Sequence, residues 1–347
     1  MSTTQRTVTI VGGGIGGLAL AAALDPTRFD VTLLEAEPSR RSLGAGIGLW
    51  PAARRALSRV GAWGDLDDET DEEQVAGSLF DIHGRRLVTV AGPDLLVVER
   101  PRLMAALALA VPPSVRMRVA RVDDPAGLPG DLVVGADGVR SRVRALVHPP
   151  AAERVEADYV ALRGIAARAE PSDIGEYWGP GRLFGLAPLR DGRGYWFTTH
   201  RSALRPEPLP VQTVLAEARE RFGDAAPVAR RILELARADD ATSATRMWTV
   251  PAMPRYVRGR YIVIGDAAHA SLPNLGRGAC DAILDAVSLA RTLNGGGRLA
   301  TWQARRLPVT QAARVTASGI MRFALLDRGH EARDRTVAAL GRVGRAR

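Results

Sequence analysis

The chain contains no lysine: all 47 of its basic residues, among 347, are arginines. That absence excludes a Schiff-base lysine, a P-loop lysine and lysine-dependent halogenation. A single cysteine, Cys280, excludes an internal disulfide and the paired-thiol chemistry of disulfide-dependent reductases, and it fits a reducing compartment. The five histidines, His83, His148, His200, His269 and His330, show no metal-ligand spacing, so no metal site is expected. No G-x-S-x-G nucleophile elbow is present for a serine hydrolase. No apolar run reaches transmembrane length. The longest N-terminal apolar stretch, Leu18 to Leu24, lies inside a glycine motif and does not read as a signal peptide. The expectation is a cytoplasmic protein without a membrane partner.

The formal charge of +9 and a pI of about 10.8 raise nucleic-acid binding as a question. Exclusive use of arginine, with abundant alanine and glycine, is explained more simply by a GC-rich coding sequence. No nucleic-acid partner is expected.

What is present is one acid-and-glycine signature met three times. Gly12-Gly13-Gly14-Ile15-Gly16-Gly17 is answered by Glu35; Gly135-Ala136-Asp137-Gly138 and Gly265-Asp266-Ala267-Ala268-His269 follow far downstream. Each comes after a β-branched or aliphatic run and reads as the turn at the C-terminal end of a parallel strand, the edge where open α/β sheets bind ligands. Three such turns suggest one long ligand, a dinucleotide. In the first, Gly12 permits the tight turn, Gly14 lets backbone approach a pyrophosphate, and Gly17 lets helix pack on strand. The helix opening at Ile15 and Gly16 offers N–H donors to phosphate. Glu35, ending the next strand, can accept from both ribose hydroxyls and would repel a 2′-phosphate. In the third, Asp266 can accept from a sugar-alcohol hydroxyl, and the stretch from Gly276 to Ala279 opens a helix whose free N–H groups can face an anion.

Around these turns, periodicity predicts strands over Thr7 to Val11, Val31 to Glu35, Val115 to Val122, Asp131 to Val134 and Arg260 to Ile264. It predicts helices over Ile15 to Leu24, Ala52 to Val60, Arg100 to Ala110 and Gly278 to Leu293. Asp65 to Gln74 is acidic and reads as a solvated loop, and Val75 to Val98 as strands turning at His83-Gly84. From Ala151 to Arg258 the texture is mostly β, with helices over Val211 to Phe222 and Val228 to Ala238. Ala300 onward is helical and basic.

The three motifs, in this order and at these separations, resemble the group A flavoprotein monooxygenases of the p-hydroxybenzoate hydroxylase type. The resemblance covers Arg6 to Leu57, Glu99 to Leu107, Asp131 to Arg144 and Arg260 to Leu293, and is weak between them. It implies an α/β fold: a Rossmann-like FAD-binding domain from 1–74, 99–150 and 259–299, a mixed β-sheet substrate domain from 75–98 and 151–258, and a C-terminal helical segment, 300–347. It implies that Gly12, Gly14, Ile15, Gly16, Gly17 and Glu35 hold the ADP half of FAD, with Arg100 near the diphosphate and Asp137 in the family's Asp-Gly motif. Asp266 would sit on the ribityl-diphosphate arm, and Pro273, Gly276, Arg277 and Gly278 beside the isoalloxazine.

The implied activity is NAD(P)H- and O2-dependent hydroxylation or epoxidation of a small organic, aromatic or polycyclic substrate through a flavin C4a-hydroperoxide, with NAD(P)H a transient co-substrate. Two other readings stay open: an FAD-dependent reductase that inserts no oxygen, and a non-redox FAD-containing cyclase.

The chain departs from the family pattern in three places. Arg277 stands where glutamine is usual, either meeting the flavin carbonyls or an anionic substrate, or pointing to solvent. Only Asp123 to Gly130 links two strands between which relatives carry a β-hairpin excursion. The C-terminal helical region leaves no room for the extra domain of some relatives. His269 reads as a structural hydrogen-bonder before a base. Tyr195-Trp196-Phe197 and Trp178 read equally as an aromatic pocket or as ordinary strand residues.

Overall fold

The computed structural model describes residues 5–38, 46–67, 77–90, 94–205, 207–238 and 242–343. The chain opens with β1 (Arg6–Val11), α1 (Ile15–Ala23), β2 (Phe29–Glu35), β3 (Gly46–Leu49), α2 (Pro51–Arg59) and α3 (Gly64–Asp67). Next come β4 (Gly77–Asp81), β5 (Arg86–Val90), β6 (Leu96–Glu99), α4 (Arg100–Ala110), β7 (Arg116–Val119), β8 (Leu132–Gly135) and α5 (Arg142–Val147). The middle holds β9 (Val155–Ala166), β10 (Gly175–Gly179), β11 (Arg182–Pro188), β12 (Gly194–Arg201), α6 (Val211–Arg221), α7 (Pro227–Leu235) and β13 (Ser243–Thr249). The last part is β14 (Val257–Arg258), β15 (Tyr261–Val263), α8 (Asp266–His269), α9 (Gly278–Asn294), α10 (Leu299–Ala324) and α11 (His330–Val343).

Six strands form one sheet in the order β14-β15-β8-β1-β2-β7, parallel except for the β14–β15 pair. Its central strands carry short aliphatic runs (Val8, Ile10 and Val11; Leu132 to Val134; Ile262 and Val263) and are buried, as parallel strands between helices must be. α1 is small and apolar along its length, so it lies close to α9: a Cβ on Gly16 would meet that of Ala282 at 3.6 Å. β3 and β6 make a separate antiparallel pair.

The second sheet runs β13-β9-β12-β11-β10-β4-β5 and is antiparallel except at β10–β4. Strand side chains alternate between faces, and here the two faces have different fates. Val160, Leu162, Tyr177, Phe184 and Trp196 join Val214, Leu215 and Ala218 of α6 and Val228, Ala229 and Ile232 of α7 in one core. Ala161, Arg163, Trp178, Tyr195, Phe197 and Thr199 line a cleft instead.

Several boundaries fall elsewhere than the sequence predicts. Leu96 to Val98, placed by pattern with the second sheet, forms β6 on β3, and Val98 enters the first core. Val257–Arg258 belongs to the first sheet, where Met253 and Tyr256 are also buried. Alternation marks a segment as a strand but not which strand it pairs with. The segment expected as a solvated loop from Asp65 to Gln74 begins inside α3, because Leu66 is drawn into the core; 68–76 lie outside the described residues. The C-terminal region is two helices, interrupted after Ala324 and resumed beyond Gly329, whose φ is +80°. Among the described residues no helix is long and apolar enough to cross a membrane.

His200 is fully buried on β12, edge-on to Phe222 and 3.5 Å from Glu217. Neither ring nitrogen has a hydrogen-bond partner among the described residues. Burial lowers its pKa to about 4, against the pull of Glu217. An unfolded histidine takes up its proton near pH 6.5. Between about pH 6.5 and about pH 4 the unfolded chain therefore binds more protons, and stability falls on acidification by on the order of 3 kcal/mol, levelling off below. In urea unfolding at pH 7 and pH 4.5, His200→Leu is expected to shrink the difference between the two midpoints. An unchanged difference would assign the acid sensitivity to other groups.

Candidate active site

The cleft lies between the two sheets, encloses about 1770 Å³, and reaches from the first glycine turn to the aromatic face of β12. Strand register decides what meets there. Leu34 of β2, Val11 of β1, Gly135 of β8 and Val263 of β15 are cross-strand neighbours in one row. All three turns therefore leave the sheet side by side at the C-terminal ends of parallel strands, where ligand crevices form.

The first turn is packed backbone to backbone. Gly12 has φ +104°, and a Cβ there would meet the Ala136 carbonyl oxygen at 2.4 Å; one on Gly17 would meet the Gly12 oxygen at 1.9 Å. Gly14 has open space beside it. It caps α1 without a side-chain hydrogen bond, and no acid stands in the first turn. The N-terminal N–H groups thus face the cleft with a positive dipole end. Glu35 accepts from the Gly13 N–H at 2.7 Å through Oε2 and from the Glu37 N–H at 2.8 Å through Oε1. Those two bonds fix its carboxylate at the cleft wall, and each oxygen keeps a free lone pair.

In the second turn, Asp137 Oδ2 accepts from the N–H groups of Arg142 at 2.8 Å and Val143 at 3.4 Å. Its Oδ1 is buried with no partner among the described residues, and burial raises the carboxyl above its ordinary value. An orphaned acceptor beside the turn that opens the uncapped α1 is what a hydroxyl- and phosphate-bearing ligand would satisfy.

Arg144 was not singled out by sequence reasoning, yet it is wholly buried and forms no ion pair within 4 Å among the described residues. Its guanidinium donates to four carbonyls: Ala151 at 2.7 Å, Val139 at 2.8 Å, Ala152 at 3.0 Å, and Ala267 of the third turn at 3.2 Å.

The third turn begins at Gly265, φ +59°, whose N–H donates to Asp285 Oδ2 at 3.0 Å. The same oxygen is 2.6 Å from His269 Nε2, and Arg306 donates to Oδ1 at 2.7 Å. Despite burial, the charges of His269 and Arg306 hold Asp285 below the usual carboxylate value, and Asp285 raises His269. His269 is a structural hydrogen-bonder, as its sequence context suggests. Asp281 and Asp285 sit four apart on the buried face of α9. Two acids among apolar helix residues are an anomaly that the sequence displays, because buried carboxylates need partners. Asp266 is exposed at the start of α8, close to Gly278. Beyond it, Pro273–Leu275 makes a 3-10 turn, Gly276 takes the left-handed conformation (φ 58°, ψ 25°), and α9 begins with no side-chain cap.

Gly12, Gly14, Ile15, Gly16, Glu35, Arg100, Asp137, Asp266, Pro273, Gly276, Arg277 and Gly278 all line this one cleft; Gly17 packs behind it. Arg277 lines the cleft and is part-exposed. Its guanidinium folds back onto Asp281 through two bonds, 3.2 and 3.1 Å, because a carboxylate one turn along lies within reach. The aromatic run divides by strand alternation: Tyr195, Phe197 and Trp178 line the cleft, whereas Trp196 is buried on the other face. Arg163 and Glu176 also line the cleft and carry no motif that marks them in the sequence.

Residues 111–316 match the FAD binding domain family, and residues 10–40 the NAD(P)-binding Rossmann-like domain family. The chain is 33% identical over 323 residues to the aurachin C monooxygenase/isomerase of Stigmatella aurantiaca, covering 84% of this chain and 81% of that one. It is 32% identical over 317 residues to 2-heptyl-3-hydroxy-4(1H)-quinolone synthase of Pseudomonas aeruginosa, covering 82% and 80%. In fold it is similar to Klebsiella pneumoniae HpxO complexed with FAD and uric acid, with a TM-score of 0.82 over 98% of this chain and 94% of that one at 23% identity.

Replacing Arg144 with methionine, a flexible apolar chain, leaves two buried and two part-buried carbonyls without their donor. The expected loss is more than about 3 kcal/mol in urea unfolding. A loss below about 1 kcal/mol would show that the carbonyls find other donors.

Proposed function

The chain belongs to the FAD binding domain family, among the group A FAD-dependent aromatic hydroxylases, and on that premise we propose how its residues divide the work of a monooxygenase that uses FAD and NAD(P)H. FAD supplies the redox chemistry when bound: it takes hydride from NAD(P)H and activates O2. Gly12, Gly14, Ile15, Gly16 and Gly17 take the pyrophosphate at the start of α1, and Glu35 takes the adenosine ribose hydroxyls. Arg100 stands by the diphosphate, and Asp137 completes its hydrogen bonding against the bound cofactor. Asp266 accepts from the ribityl chain. Pro273, Gly276 and Gly278 lie along the ring, where the α9 N-terminus favours negative charge. Arg277, paired with Asp281, keeps the start of α9 in shape and adds its field only as part of that pair.

The nucleotide-binding body is proposed to be 1–74, 99–150 and 259–299, with 75–98 and 151–258 forming the substrate body; β6 and β14 shift those limits by a few residues toward the first. The second sheet's task is to orient the substrate over Phe197 and keep water from the reacting atoms. The substrate is proposed to be a small flat aromatic or heteroaromatic molecule. Two relatives are named for making or oxidising quinolone-type and aurachin compounds, and the cleft wall is built from Tyr195, Phe197 and Trp178.

The observation that carries this reading is the single cleft shared by three strand-end turns and an aromatic sheet face. With purified protein, NAD(P)H and 4(1H)-quinolone under 18O2, one labelled oxygen atom is expected in the product; turnover to an unlabelled, reduced product would instead indicate a reductase. Asp266→Ala is expected to weaken FAD retention at least about tenfold, the value of a hydrogen bond to a charged group. Equal retention in the variant would remove Asp266 from the flavin site.

A further inference from the structure

Two polar side chains of the cleft remain outside the cofactor roles, and register relates them. Glu176 of β10 pairs with Gly185 of β11, Gly185 with Phe197 of β12, and Phe197 with Arg163 of β9. Residues in one cross-strand row project to one face, and three inter-strand spacings separate the Cα atoms of Glu176 and Arg163 by roughly 14 Å. The middle of the row is flat. A Cβ on Gly185 would meet Phe197 Cζ at 2.1 Å, so the phenyl ring lies across β11 where a larger residue would stand. The row is therefore an aromatic floor with a carboxyl group at one end and a guanidinium at the other.

Each end has unspent hydrogen-bonding capacity. Glu176 accepts from Trp178 Nε1 at 2.8 Å through Oε2, and its Oε1 has no partner among the described residues. Arg163 donates to Thr245 Oγ1 at 2.7 Å, which leaves donors to spare. It makes no ion pair among the described residues, unusual for a half-buried guanidinium.

We propose that Glu176 and Arg163 read opposite edges of the substrate: Glu176 accepts from an N–H or O–H on one edge, and Arg163 donates to a carbonyl or oxyanion on the other, with the ring plane on Phe197. This rests on the monooxygenase reading of the cleft and narrows its substrate to flat molecules with a donor and an acceptor on opposed edges. Such pairing discriminates strongly, because an analogue lacking one group leaves a desolvated protein group unpaired. Gly185 is a further condition, since any side chain there lifts Phe197 and destroys the floor.

Binding to the FAD-loaded enzyme tests this without turnover, so its failure is separate from a failure of oxygen insertion. The probes are 4(1H)-quinolone, its N-methyl derivative without the donor, and quinoline with neither the N–H nor the carbonyl, each titrated by calorimetry. Wild type is expected to bind 4(1H)-quinolone at least about tenfold more tightly than either analogue. Glu176→Leu should collapse the ratio between quinolone and its N-methyl derivative toward one, and Glu176→Gln, which keeps a carbonyl oxygen, should restore part of it. Arg163→Leu should weaken quinolone and N-methylquinolone alike and leave quinoline unchanged; Arg163→Lys should recover part of the loss. Retained flavin and an unshifted melting temperature show that each variant is folded. No binding of 4(1H)-quinolone to wild type, or equal weakening of all three probes in both leucine variants, overturns the proposal.

Discussion

The site depends on one alignment: Leu34, Val11, Gly135 and Val263 stand in register on adjacent parallel strands, so that three distant turns leave the sheet at the same level. The alignment is tight enough to forbid side chains. The Gly12 turn rests on the Ala136 carbonyl, and Gly17 rests on Gly12, at separations no Cβ tolerates. A slip of one residue on β8 would send the buried Leu132 to Val134 run to the wrong faces and lift the second turn off the first. The glycines are therefore first of all packing requirements, and the opening they leave beside Gly14 is what a phosphate can approach.

Buried polar side chains fasten these turns to one another and to the C-terminal helices. Arg144 leaves the second turn and reaches a carbonyl of the third. Asp285 holds the Gly265 N–H, His269 and Arg306 together, and Arg306 reaches on to Asp281, which also takes Arg277. Burying such charges is expensive, and the arrangement is tolerated because nearly every donor and acceptor is matched. The consequence is positional: the left-handed Gly276 and the start of α9 are anchored from behind by α10. The surface proposed to lie along the flavin ring is thus held from behind.

The second sheet does a different task with the same alternation. One face is sealed by α6 and α7, and the other is a wall of aromatic and polar groups facing the cleft. Trp196 and its neighbours Tyr195 and Phe197 are chemically similar, and only the pleat decides that one stiffens the core while the others face the cleft. Gly46 of β3 abuts Tyr195, where a Cβ would meet its Cγ at 2.5 Å, so the β3–β6 pair touches the second sheet through a glycine where the aromatic wall begins.

The sequence alone determined the three turns, their order and the acids that belong to them, because tight backbone turns admit few residue types and a strand-turn-helix start has a strong local pattern. It also determined the helices from Arg100 to Ala110 and from Gly278 onward, and the β texture of the middle. Tertiary structure alone decided the partners: that β6 joins β3, that Leu66 folds inward, and that Arg277 turns back to Asp281. It also decided that Arg163 and Glu176, 13 residues apart in the chain and on strands separated by two others, share one row. The reason is physical. Local conformation follows from nearby side chains and backbone sterics, which a sequence displays, whereas ion pairs, orphaned oxygens and cross-strand rows arise only when distant strands settle into register.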